Sequence, residues 1–126
     1  MVDCGDADAM VTGNIRHYAA SIESLKKVVE ARPGEILFGL NMLITPGKTI
    51  FIADTSVNDF PSSENLVKIA ISSVRVAKLF GFEPKVAFLS HSTFGKPISR
   101  NTKHVRRAID LLKKQKVTFN YRKLNQ

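Results

Sequence analysis

Thr45-Pro46-Gly47-Lys48 constrains the fold of this 126-residue chain more than any other stretch. Proline and glycine stand where a type II turn takes them: proline presets φ at the second position, and glycine accepts the positive φ of the third. Apolar runs flank the turn, residues 35–45 (EILFGLNMLIT) before it and 49–54 (TIFIAD) after it. Strands joined by so short a connection pair antiparallel. A purely parallel α/β sheet is thereby disfavoured and a mixed sheet expected. The first run is apolar on both alternating faces apart from Asn41 and its ends, which predicts a strand covered on both sides.

Helical periodicity appears in three places. Asn14 can cap a first helix whose apolar positions Ile15, Tyr18, Ala19, Ile22, Leu25, Val28 and Val29 recur every three or four residues, predicting one buried face. Arg32-Pro33-Gly34 ends it. A second helix is predicted over about 63–80, with Ser62 as N-cap, Glu64 complementing the first-turn dipole and Gly81 at the C-terminal cap. Its apolar residues spread widely around the axis, so it should pack on the sheet and on something further. A subunit interface through Ile71 and Val74 is one candidate. The third helix, capped by Ser99 or Asn101, should bury Val105, Ala108, Ile109 and Leu112. Strands are expected at 7–12, 85–90 and 117–121, the last half-exposed and at an edge. The expectation is one domain over 1–126, α/β in class, with three layers: helix, mixed sheet, helix.

Charge is uneven. Residues 1–95 hold 9 of the 19 Lys+Arg and 10 of the 11 acidic residues; residues 96–126 hold the other 10 cations and Asp110 alone, a net +9. Such a segment fits a phosphate-rich partner, or it is a solvated helix face. A nucleic-acid-binding module is the reading of another class, but interleaved aromatics and a known binding motif are lacking. No apolar run approaches the ~20 residues of a membrane-spanning helix, the first residues are acidic, and Cys4 is the single cysteine. A cytoplasmic protein without membrane association is expected.

Ligands in open α/β sheets bind beyond the carboxyl ends of strands. Three polar loops follow predicted strands: Thr12-Gly13-Asn14, Asp54-Thr55-Ser56 and Ser90-His91-Ser92-Thr93, with Lys96 close behind the last. Hydroxyls, loop amides and a helix start together suit a phosphate. The competing reading is that these residues cap helices and close turns. His91 is flanked by Ser90 and Ser92, but adjacency in sequence does not make a nucleophile–base pair. No catalytic constellation, metal-ligand spacing or nucleotide-binding fingerprint is visible.

Four stretches carry a resemblance: GDADAMVTG at 5–13, LITPGKTIFIADTSVN at 43–58, the P-S-x-E-x-L opening at 61–66, and GFEPKVAFLSHSTFGKP at 81–97. In this order they resemble the phosphate acetyltransferase family over most of residues 5–121. STFGKP and the late K-K-Q-K-V-T-F-N-Y are similar to the acetyltransferase-like C-terminal region of bacterial NADP-dependent malic enzymes. The resemblance implies one subdomain, mostly the second, of a two-subdomain isocitrate/isopropylmalate dehydrogenase-like fold. It implies a cleft for coenzyme A and acetyl phosphate bordered by the loop after Leu89. Thr12, Gly13, Asn14, Ser90, Ser92, Thr93 and Lys96 are the expected phosphate-binding residues, and dimerisation is expected through this subdomain.

Two departures qualify it. The family's helix after the first strand carries a ligand-binding arginine, absent from Ser21-Ile22-Glu23-Ser24-Leu25-Lys26-Lys27. The family's C-terminal serine–arginine and aspartate elements would lie beyond Gln126. The resemblance thus implies a fragment, inactive alone, that senses acetyl-CoA and assembles subunits of a malate-decarboxylating enzyme. NADP and a divalent metal would belong to absent dehydrogenase domains, and no cofactor to this piece. Part of a true phosphate acetyltransferase is the alternative.

Overall fold

The computed structural model describes residues 2, 4–12, 15–89 and 100–123. The elements in chain order are α1 (Tyr18–Val28), β1 (Leu40–Thr45), β2 (Lys48–Ala53), α2 (Ser63–Leu79), β3 (Val86–Phe88), α3 (Arg100–Lys114) and β4 (Tyr121–Lys123). The class is α/β, as expected. The chain divides into two compact units, residues 1–35 and 36–126. No helix among the described residues is long and apolar enough to cross a membrane.

The first unit departs most from expectation. Residues 7–12 form no strand. A strand exists only through a ladder partner, and none pairs with this segment among the described residues. α1 begins three residues later than the apolar pattern, at Tyr18, with His17 in the capping position and no side-chain capping bond. Asn14 lies outside the described residues. α1 has no buried residue, so its apolar stripe does not face a core. Pro33 and Gly34 stand beyond the helix end in a tight turn, with Gly34 at φ +81° and the Glu35 N–H donating to the Arg32 carbonyl at 2.9 Å.

In the second unit the hairpin forms as its turn dictates. Thr45 pairs with Lys48 and Leu40 with Ala53, antiparallel, and Gly47 takes φ +76°. Coverage on both faces does not follow: β1 is exposed from Asn41 to Thr45. Among the described residues the hairpin is a sheet of two strands. It leans on α2 through β2, where Phe51 packs against Phe80 and Phe82 at ring-centroid distances of 6.2 and 5.7 Å. Residues 36–39 stay outside the ladder.

α2 is set by local chemistry at both ends. Ser62 Oγ accepts the Asn65 N–H at 3.1 Å. At the other end Gly81 (φ +80°) donates to Lys78 O and Phe82 donates to Ala77 O, a Schellman closure of the last carbonyls. Val67, Ala70, Val74 and Ala77 are buried on one side, and Ile69 and Ser72 on the opposite side by helical spacing. The helix contacts both α3 and β2. The breadth of its apolar surface is therefore met in large part within one chain.

β3 and β4 pair parallel, Val86 opposite Tyr121, with α3 as the crossover between them. The expected single mixed sheet is thus two separate ladders among the described residues, one antiparallel and one parallel. β4 lies at 121–123 rather than 117–121. Val117 and Phe119 are partly buried against the core instead of joining the ladder. That core is Val67 and Ala70 from α2, Phe88 from β3, and Val105, Ala108 and Leu112 from α3. Asn101, one of two expected caps, lies inside α3, and Ser99 lies outside the described residues.

Candidate functional site

In the β3–α3–β4 unit a helix connects two parallel strands. β3 is half of a parallel pair, and its carboxyl end delivers the chain from buried Phe88 to Leu89, which is 69% exposed. α3 opens at Arg100, so the strand-to-helix connection falls in the position where open α/β units hold ligands. Ser90, Ser92, Thr93 and Lys96, together with His91, belong to that connection and lie outside the described residues. So do Gly13 and Asn14. Thr12, in the first unit, is exposed.

The opening of α2 is tied to the middle of α3. Arg107 Nη2 sits 3.1 Å from Glu64 Oε1 in the first turn of α2. The Glu64 carboxyl is held below its ordinary value by its backbone N–H, then by the Ser62 hydroxyl, with Arg107 and His104 adding positive potential and desolvation opposing. Ser63 and Thr102, in the first turns of the two helices, are buried at 3% and 4% exposure.

The second polar loop, 54–58, is committed to structure. Asp54 Oδ1 accepts the Val57 N–H at 3.1 Å and the Gly39 N–H at 3.2 Å. Asn58 Nδ2 donates to Asp54 Oδ2 and to the Leu37 carbonyl at 2.9 Å. Asn41 Nδ2 reaches Thr55 Oγ1 at 3.2 Å. Asp54 therefore closes the loop and anchors the strand-free residues 37–39, giving their backbone the partners a ladder would have supplied. Sequence reading placed this loop among the ligand candidates. The spacing of an aspartate and an asparagine four apart, just after a strand, was the available signal of an Asx-closed turn.

The pair expected at a subunit interface divides. Val74 is buried at 7% exposure, while Ile71 is 37% exposed at the edge of α2. Both line a groove of about 540 Å³ that also takes in Leu79, Lys116 and Phe119. Sequence reasoning had no route to this groove, because it joins the end of α2 to a segment forty residues on.

Residues 1–122 match the family described as Phosphate acetyl/butaryl transferase. The chain is 40% identical over 121 residues to an NADP-dependent malic enzyme of Rhizobium meliloti (strain 1021), covering 96% of this chain and 16% of that enzyme, in its C-terminal region. It is 38% identical over 116 residues to the NADP-dependent malic enzyme of Escherichia coli (strain K12), covering 91% and 15%. It is 37% identical over 94 residues to the phosphate acetyltransferase of Nitratidesulfovibrio vulgaris, covering 74% and 13%. The chain spans about one-seventh of the length of these relatives. With nearly all of its residues matched, this chain belongs to the phosphate acetyl/butaryl transferase family.

Proposed function

We propose that this chain is the acetyltransferase-like domain of an NADP-dependent malic enzyme, serving to sense acetyl-CoA and to assemble subunits. The observation that carries the reading is the 40% identity to the R. meliloti malic enzyme over 96% of the chain. The parent's reaction, oxidative decarboxylation of malate to pyruvate, and its NADP and metal then reside in domains outside this sequence. Catalytic transfer of acetyl groups is not this chain's task. The stretch 21–27, within α1, holds Lys26 and Lys27 but no arginine, where the resemblance to the family leads one to expect a ligand-binding arginine. A phosphate acetyltransferase is the second reading, favoured by the match to the N. vulgaris enzyme.

In this reading the β3-to-α3 connection holds the ligand phosphate. Lys96 supplies charge, and Ser90, Ser92 and Thr93 supply hydroxyls. Calorimetric titration of acetyl-CoA tests it. Saturable heat is expected, with affinity lowered about tenfold in Lys96→Ala, the effect of losing one charge-assisted hydrogen bond. No saturation at millimolar ligand overturns the sensing role. Acetyl-CoA formation from acetyl phosphate and coenzyme A above background would instead favour the acetyltransferase reading. Sedimentation equilibrium tests assembly: a dimer or larger species is expected, and monomer alone at high micromolar concentration refutes it.

A further inference from the structure

The outward side of α3 is a cationic surface, and we propose that it binds duplex nucleic acid through the phosphate backbone, without reading base sequence. Val105, Ala108 and Leu112 turn one side of the helix into the core. Lys103, Arg106, Arg107, Lys113 and Lys114 are exposed around the rest, and Asp110 is the one acid between them. Arg107 reaches Glu64 at 3.1 Å, and Lys113 reaches Asp110 at 3.8 Å. Among the described residues, Lys103, Arg106 and Lys114 have no carboxylate at ion-pair distance. Lys103 and Lys114 lie about 16 Å apart along the axis, the run of roughly five phosphates on one strand of a duplex.

A helix face that only meets solvent is arranged differently. Acid–base pairs three or four residues apart stabilise an exposed helix, and like pairs destabilise it by similar amounts. α3 sets Lys103 three and four residues before Arg106 and Arg107. Its first turn holds no acid, and Lys103 stands at its fourth position, towards the positive end of the helix dipole. α2 has the favourable order, with Glu64 in its first turn and Lys78 in its last. α3 thus keeps cations where they cost it stability, and an anionic partner reverses the sign of that cost.

The rest of the face selects among polyanions. α3 contains no Phe, Tyr or Trp, so it lacks the platform on which bases of a single strand stack. Its apolar residues belong to the core, with Ile109 and Leu111 partly buried against it. A helix lying in an anionic membrane needs its apolar side free, and a protein-docking site needs an apolar anchor to bury. What remains is a row of positive charge, matched by the regular charge of a duplex backbone. The missing recognition motif bars sequence specificity, because phosphate contacts carry no sequence information, and leaves backbone binding intact.

The test is fluorescence anisotropy of a labelled DNA duplex of about 20 base pairs, titrated with the chain at about 50 to 200 mM salt. Saturable binding is expected, equal for two unrelated sequences. The slope of log K against log salt should lie between about −2.7 and −4.5, or 0.9 for each of three to five phosphates. The double variant Lys103→Gln, Lys114→Gln should flatten that slope by about 1.8 and weaken binding by roughly tenfold or more. Lys103→Gln alone should melt no lower than wild type, because it relieves repulsion in the first turn. A control, Lys26→Gln with Lys27→Gln, removes the same charge from α1 and should leave slope and affinity unchanged. The inference is overturned by no saturation at the lowest salt, or by an equal loss in the α1 control, which would make net charge the whole cause. Tighter binding of single-stranded DNA, polyglutamate or phosphatidylglycerol vesicles than of the duplex would overturn it too. Those results would give the face to a single strand, an acidic protein or a membrane.

Discussion

Lys116 and Glu64 show how single residues set local energies at the two ends of the helical pair. A non-glycine residue at φ +48° loses about 1 kcal/mol to contact between its Cβ and its own carbonyl. Lys116→Gly is therefore expected to stabilise the fold by roughly that amount, read as a higher denaturant midpoint with unchanged slope. Glu64 acts through charge. Its folded-state affinity for a proton is lowered by its backbone N–H, the Ser62 hydroxyl, and Arg107 with His104. A group whose folded value is depressed contributes stability above its usual value of 4.5, and that contribution disappears as pH falls through the lowered one. Melting curves of wild type and Glu64→Gln should differ near neutral pH and converge only as pH falls below the lowered Glu64 value. A gap that persists unchanged into acid would show that the carboxylate charge plays no part.

At the scale of elements, what could be read from sequence was what is encoded locally. The Pro46-Gly47 turn, the Ser62 cap and the Gly81 closure each lie within a few residues of what they determine, and each stands where the sequence places it. α3 was legible because Val105, Ala108 and Leu112 keep a helical period on an otherwise cationic segment. Strands were less so, since a ladder depends on a partner remote in sequence. Residues 117–121 alternate like an edge strand. Yet Val117 and Phe119 cover the core, and pairing begins only at Tyr121, opposite Val86. Of the ligand loops, 54–58 could have been recognised as self-satisfied from Asp54 and Asn58, while the groove beside Lys116 depends on tertiary packing alone. The core prediction belongs here too. Leu112 is fully buried between α2, α3 and the β3–β4 pair. Leu112→Ala should cost about 2–5 kcal/mol, through lost transfer energy and a cavity that neighbouring side chains cannot close. A loss below 1 kcal/mol in chemical denaturation would mean that this core is not the one that holds the fold.

On the scale of the whole molecule, stability is concentrated in residues 36–126. That unit contains every buried hydrophobic residue among those described, from Val67 to Leu112. Residues 1–35 contribute one eleven-residue helix with no buried side chain. A helix that short is marginal in water without a packed face, so it opens at a far smaller free energy than the core. Lys26 and Lys27 then become the first trypsin sites, ahead of the more numerous cations of α3, whose backbone is held by packing on α2. Brief digestion is expected to release residues 1–27 and leave a fragment beginning at Val28. That fragment should keep a cooperative thermal transition within a few degrees of the intact chain, because the residues it loses bury almost nothing. Hydrogen exchange provides the companion measurement: amides of α1 should exchange near the unprotected rate, and those of α2 and α3 only through global opening. Initial cleavage within α3, or a fragment that melts without a transition, would move the cooperative unit to include residues 1–35. The net charge of +9 over residues 96–126 would then have to be weighed together with the acidic first residues as parts of one folding unit.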